Sequence, residues 1–147
     1  MSYALEYLDA IRTGEIVVSR RVRQFYEQVE PILKDEDPNY YFDEKAGSKF
    51  SEFAERFCRQ SKGEWNSEPL ELMLFQKAKY EVLFGVKERD TGLRRFREVF
   101  DLRGRKNGKS TENAALGLYL SLEEPGAEVY VAATIRAQAM RVWEESR

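Results

Sequence analysis

Apolar side chains recur at three- and four-residue spacing along the front of the chain, the period of helices with one face turned to a core. Tyr3, Leu5, Tyr7, Leu8 and Ile11 predict a short amphipathic helix stopped by a turn at Thr13-Gly14. Ser19 has the chemistry of an N-cap for the next helix, whose apolar face is Val22, Phe25, Tyr26, Val29, Ile32 and Leu33. Pro31 lies inside that pattern and should end or kink the helix nearby. Residues 35–39, with Pro38, read as a loop, and Tyr40-Tyr41-Phe42 as a short extended run. Phe50, Phe53, Ala54, Phe57 and Cys58 predict a third helix, and Leu72 to Phe84 a fourth, with Gly85 as its stop.

Beyond Gly92 the period changes. Phe96, Glu98, Phe100 and Leu102 alternate with Arg97, Val99 and Asp101, which predicts a strand. A glycine-containing loop follows, then a helix carrying Ala114, Ala115, Leu118, Tyr119 and Leu122, broken by Pro125-Gly126. Val129 to Ala133 predicts a second, buried strand, and Gln138 to Glu145 a further helix. The expected class is therefore α/β. A helical region, residues 1–66, precedes an incomplete βαβ unit with a parallel sheet in residues 67–147. Lys62 to Pro69 is the expected boundary, and there is no internal repeat.

Composition narrows the chemistry. With 42% hydrophobic residues in 147, the chain can bury a core, which excludes global disorder. A net charge of −2 and a pI near 5.5 give no overall attraction to nucleic acid, so any such contact needs a local basic patch. Cys58 is the single cysteine and there is no histidine, which excludes an internal disulfide, a thiolate zinc cluster and a histidine base. No basic-then-apolar leader and no apolar run of membrane length occurs, so the expected location is cytoplasmic, without membrane contact.

The segment Gly104-Arg105-Lys106-Asn107-Gly108-Lys109-Ser110-Thr111 falls between the predicted strand and helix. Loop amides and a helix N-terminus there favour a bound anion. Gly108 lets backbone approach a phosphate, Lys109 can reach the β- and γ-phosphates, and the Ser110 hydroxyl can coordinate Mg²⁺. The usual G-x-x-x-x-G-K-[ST] spacing would place its first glycine at Arg103, so Gly104 stands one place late. By composition alone a bare Gly-Lys-Ser/Thr turns up in about one chain in fifteen of this length, and the strand–loop–helix context cuts that several-fold. Arg105 either stabilises a γ-phosphate or belongs, with Lys106, to a solvated basic loop; spacing leaves the two readings even. Arg94, Arg95 and Arg97 either contact DNA or phosphate or line a solvated face. Gln76, near the start of the fourth helix, carries an amide that matches the N6/N7 edge of adenine, although a lone helical glutamine is usually surface decoration.

An ordered set of segments adds a family resemblance: Tyr40 to Asp43, Lys62-Gly63-Glu64-Trp65, Leu72 to Gln76, Leu83-Phe84-Gly85, Thr91 to Arg97, Arg105 to Ser110, Tyr130 to Thr134 and Gln138-Ala139. Together they resemble the N-terminal part of the large terminase subunit of tailed bacteriophages, over nearly the whole chain. The resemblance implies an ATP-driven motor that packages viral DNA into procapsids, with a P-loop NTPase fold and a variant Walker A loop that accounts for the displaced glycine. It implies ATP and Mg²⁺ as cofactors. Double-stranded viral DNA, the small terminase subunit and the portal protein would be partners, and the full-length motor a homo-oligomer in the bacterial host cell. Carried over by motif, Lys109 and Arg105 would be catalytic, Lys109 on the β/γ-phosphates and Arg105 on the γ-phosphate. Gln76 would read adenine, and Gly104, Lys106, Asn107, Gly108 and Thr111 would complete the nucleotide site with Ser110 as metal ligand.

A motor ATPase also needs an apolar strand ending in Asp for Mg²⁺ and a Glu for water. No such strand follows Lys109, and Glu123-Glu124 stand at a helix end. The expectation is a truncated or split terminase that is inactive alone. Competing readings are another P-loop protein, helicase-like or kinase-like, and a non-catalytic interaction module that docks packaging subunits through residues 1–66.

Overall fold

The computed structural model describes residues 2–60, 67–104, 107–123 and 126–145. Six helices and two short strands occur among them: α1 Tyr3–Thr13, α2 Arg20–Leu33, β1 Tyr40–Phe42, α3 Glu44–Phe57, α4 Leu74–Gly85, β2 Val86–Glu88, α5 Lys109–Glu123 and α6 Arg136–Glu145. They divide into two compact units, residues 1–52 with 72–99, and residues 53–71 with 100–147.

In the first unit the helical periodicity becomes a core. Ala4, Tyr7, Leu8 and Ile11 of α1, Tyr26, Val29 and Ile32 of α2, and Ala78 and Val82 of α4 are buried together with Val86. Each fully buried Leu, Ile or Val there contributes about 1.5–3 kcal/mol relative to exposure. Local chemistry fixes the helix ends. The Ser2 hydroxyl accepts from Leu5 N–H to start α1, and Gly14, at φ 82°, closes it by donating to the Ile11 carbonyl. Ser19 caps α2 by accepting from Val22 N–H. α2 runs two residues past Pro31, so the proline sits in its last turn rather than breaking its middle. β1 pairs antiparallel with β2, with Tyr40 opposite Glu88 and Phe42 opposite Val86.

The second unit holds the end of α3, α5 and α6. Ala114, Ala115 and Tyr119 form the buried stripe of α5, and the Phe53 and Tyr119 rings lie 5.6 Å apart. A groove of about 530 Å³ runs along α5 and is lined by Leu116, Leu120, Val129, Val131 and Val142, among others.

The fold is mixed helix and strand, as expected, but the parallel sheet is not seen among the described residues. Neither Phe96–Leu102 nor Val129–Ala133 forms a strand, and the one ladder there is antiparallel. Alternation becomes a strand only where a neighbour satisfies its backbone and covers its apolar face. Here Phe100, Leu102 and Tyr130 are exposed, while Phe96 packs its ring 5.8 Å from that of Phe25.

Candidate functional site

α5 begins at Lys109, immediately after Gly108, whose φ of 66° is a left-handed conformation that glycine adopts without steric cost. The bond from Glu112 N–H to the Gly108 carbonyl, 3.0 Å, is the first rung of the helix. The amides of Lys109 and Ser110 therefore stand at its open N-terminal end, where the helix dipole favours an anion. The Ser110 side chain is exposed there, and Thr111 is half-buried. The Lys109 ammonium folds back onto the loop, donating to the carbonyls of Arg103 at 2.8 Å and Gly104 at 2.7 Å. Asn107 draws the loop in from the other side, its Nδ2 donating to the Gly104 carbonyl at 3.3 Å. A Cβ at Gly104 would lie 3.2 Å from that same nitrogen, which is why the tight loop suits glycine. The structure thus brings Gly104, Asn107, Gly108, Lys109, Ser110 and Thr111 together; Arg105 and Lys106 lie outside the described residues.

Two site residues escape the sequence reading. Arg103 donates from Nη1 to Glu112 Oε2 at 2.7 Å and from Nε to Asp101 Oδ1 at 2.8 Å. Glu112, in the first turn of α5, is 1% exposed, and the Arg103 side chain 14%. Burial works against the Arg103 charge, but Glu112 and Asp101 outweigh it and hold the guanidinium above its ordinary pKa. Removing one partner of so buried a pair costs about 3–5 kcal/mol. A signal was present, since Glu112 falls on the stripe that continues with Ala115 and Tyr119, and an acid in an apolar stripe needs a partner.

Gln76 belongs to the first unit. It is 8% exposed, and its Oε1 accepts from the Met73 N–H at 2.8 Å, closing the N-terminus of α4 as half of a capping box. Of the upstream arginines, Arg94 sits 5.2 Å from the Phe84 ring centre and Arg95 4.2 Å from that of Tyr40. Both are exposed side chains that cover aromatic rings, an arrangement worth about 0.5–1 kcal/mol each. Arg97 is exposed.

A scan against protein families matches residues 74–147, half of the chain, to the family described as terminase large subunit, ATPase domain. The chain belongs to the large terminase subunit family. In this terminase chain the matched region opens at Leu74, the first residue of α4, and takes in Gln76 and the whole loop from Gly104 to Thr111. A comparison with curated proteins and with solved structures found no significant match. Among the described residues no helix is long and apolar enough to cross a membrane, and no group of three acidic, histidine or cysteine side chains is placed to hold a metal ion.

Proposed function

We propose that this chain is the nucleotide-binding front part of a phage large terminase, the ATP-driven motor that packages viral DNA. The observation that carries this reading is the Lys109 ammonium held on two loop carbonyls beside the N-terminus of α5, with Gly108 in a left-handed turn, inside the matched ATPase region. Residues 67–147 are the start of the ATPase domain and residues 1–66 a helical leader.

The donor set fits a Mg²⁺–nucleotide: one ammonium, helix N-terminal amides, an exposed hydroxyl and a glycine that admits close approach. Lys109 exchanges the Arg103 and Gly104 carbonyls for the β/γ-phosphates, so binding substitutes one set of acceptors for another and needs no bare charge. The amides at the start of α5 orient the phosphate chain, and Gly104 and Asn107 keep the loop narrow. Arg105 supplies charge at the γ-phosphate, beside Lys106, and Gln76 reads the adenine. Ser110 would hold the Mg²⁺, which when bound neutralises phosphate charge. Double-stranded viral DNA, the small terminase subunit and the portal protein are the partners this reading assigns, with a homo-oligomer for the full motor and the host cytoplasm as location.

The sequence after Lys109 holds no apolar strand ending in Asp-Glu, so the chain alone binds nucleotide without turning it over. Calorimetric titration with a non-hydrolysable ATP analogue and Mg²⁺ should give saturable binding that Lys109→Ala abolishes. Absence of saturable binding would sink the phosphate-loop reading. Mg²⁺-dependent ATP hydrolysis that disappears in Lys109→Ala would overturn the claim of inactivity.

A further inference from the structure

Arg103 stands where a phosphate loop of ordinary spacing has its first glycine, and a guanidinium in such a loop invites assignment to phosphate. Its side chain is committed elsewhere. Nη1 and Nε are spent on Glu112 and Asp101, and Nη1 also reaches the Asn107 carbonyl at 3.4 Å, while the Arg103 carbonyl receives Lys109.

Glu112 lies three residues after Lys109, about 4.5 Å along the helix whose N-terminus receives the anion. A carboxylate there suits the empty helix end but repels a phosphate seated on the same end. Between unit charges about 6–12 Å apart at an effective dielectric of about 20, one unneutralised charge changes anion affinity about ten- to a hundred-fold.

We infer that Arg103 is a positioning residue of the nucleotide site that acts through Glu112: it neutralises the buried carboxylate beneath the helix end, and it does not itself take phosphate. The inference rests on the phosphate-loop reading of Gly104 to Thr111. Arg103 gives the loop, at the place of the missing glycine, a charge lock between its first residue and the first turn of α5.

Titrations of the 147-residue chain with Mg²⁺ and a fluorescent N-methylanthraniloyl ATP test this. Arg103→Met should weaken binding about ten-fold or more, because Glu112 loses the guanidinium that offsets its charge. Adding Glu112→Gln to it should bring affinity back to within about three-fold of the parent chain, since repeller and neutraliser leave together. Arg103→Lys should restore binding, as one cation still faces Glu112. Glu112→Gln alone should tighten binding by about three-fold or more; if Arg103→Met fails to fold, Arg103→Lys and the double variant, which keep or remove both charges together, carry the test.

If the double variant binds as poorly as Arg103→Met at an unchanged melting temperature, Arg103 touches phosphate directly and the inference falls. Weakened binding in Glu112→Gln, titrated at a temperature where circular dichroism shows it folded, overturns it equally. If the parent chain binds no better than Lys109→Ala, the phosphate-loop reading itself has failed and takes this inference with it.

Discussion

The Glu81 carboxylate of α4 caps α1, accepting the Ala4 backbone N–H at 2.7 Å and the Ser2 hydroxyl at 2.8 Å. Glu81 is 2% exposed, so a buried charge from one helix closes the positive end of another. Burial raises its pKa, and the hydrogen bonds it accepts from Ala4, Ser2 and Tyr3 oppose the rise only in part.

A raised folded-state carboxylate pKa means that the folded chain holds this proton more tightly than the unfolded one. Stability from this group is therefore largest below the ordinary value of 4.5 and falls as pH rises through the raised folded pKa. Urea denaturation of the parent and of Glu81→Gln should show the parent gaining relative to the variant as pH is lowered towards 4.5. A difference independent of pH would show that the carboxylate's charge is not disfavoured by folding. Glu81→Ala should cost about 1–3 kcal/mol at any pH, because it strands the Ala4 N–H and the Ser2 hydroxyl.

Glu30 has the opposite sign. It ties α2 to the other end of α1, accepting from Arg12 at 2.8 and 2.6 Å and from Lys34 at 2.8 Å. Those bonds lower its pKa from 4.5 to about 2. Its stabilisation is complete above 4.5 and lost as pH falls through about 2. Arg12 and Lys34 are more than 40% exposed, so solvent screening reduces the effect to about 1 kcal/mol or less. Glu30→Gln should lower the melting temperature at pH 7 and match the parent near pH 2; equal melting at pH 7 would mean the triad contributes nothing.

Gly85 looks in the sequence like an ordinary helix stop, but its φ is not positive and α4 ends by running straight into β2. What requires glycine is proximity. A Cβ there would lie 2.5 Å from Cε2 of Phe42 and 3.0 Å from the Asp43 carbonyl, whose own N–H donates to the Gly85 carbonyl at 2.8 Å. The backbone oxygen cannot move aside without shifting β1. Gly85→Ala should therefore destabilise the chain by about 1–3 kcal/mol in thermal or urea unfolding, despite the better helix propensity of alanine. An unchanged or raised melting temperature would show that the β1–α4 contact has slack.

These cases show where the sequence was legible. Apolar period located α1, α2, α3 and α5, because each buries apolar positions on one face and three- and four-residue spacing records that burial locally. The loop from Gly104 to Thr111 was legible because its residues are adjacent. Arg103 and Glu112 were not read as a pair, since two positions nine apart meet only once the loop folds back. Phe96–Leu102 and Val129–Ala133 show the converse failure. Alternation states what a segment could pair with, and pairing depends on neighbours that a local pattern does not contain.

Gln76 caps α4, and the proposed function assigns it the adenine as well. Its Oε1 is the acceptor that closes α4 on the Met73 N–H, whereas adenine recognition needs an amide that also donates. Gln76→Ala should lose both, costing about 0.5–2 kcal/mol of stability and weakening binding of a non-hydrolysable ATP analogue. Gln76→Glu keeps an acceptor for Met73 but has no NH₂ and brings a carboxylate into a buried position, so it should melt below the parent and also lose preference for adenine over guanine nucleotides. Melting curves and paired titrations with the two analogues read these effects independently. If Gln76→Glu keeps the adenine preference of the parent chain, the glutamine is a capping residue only, and the base must be read by other groups.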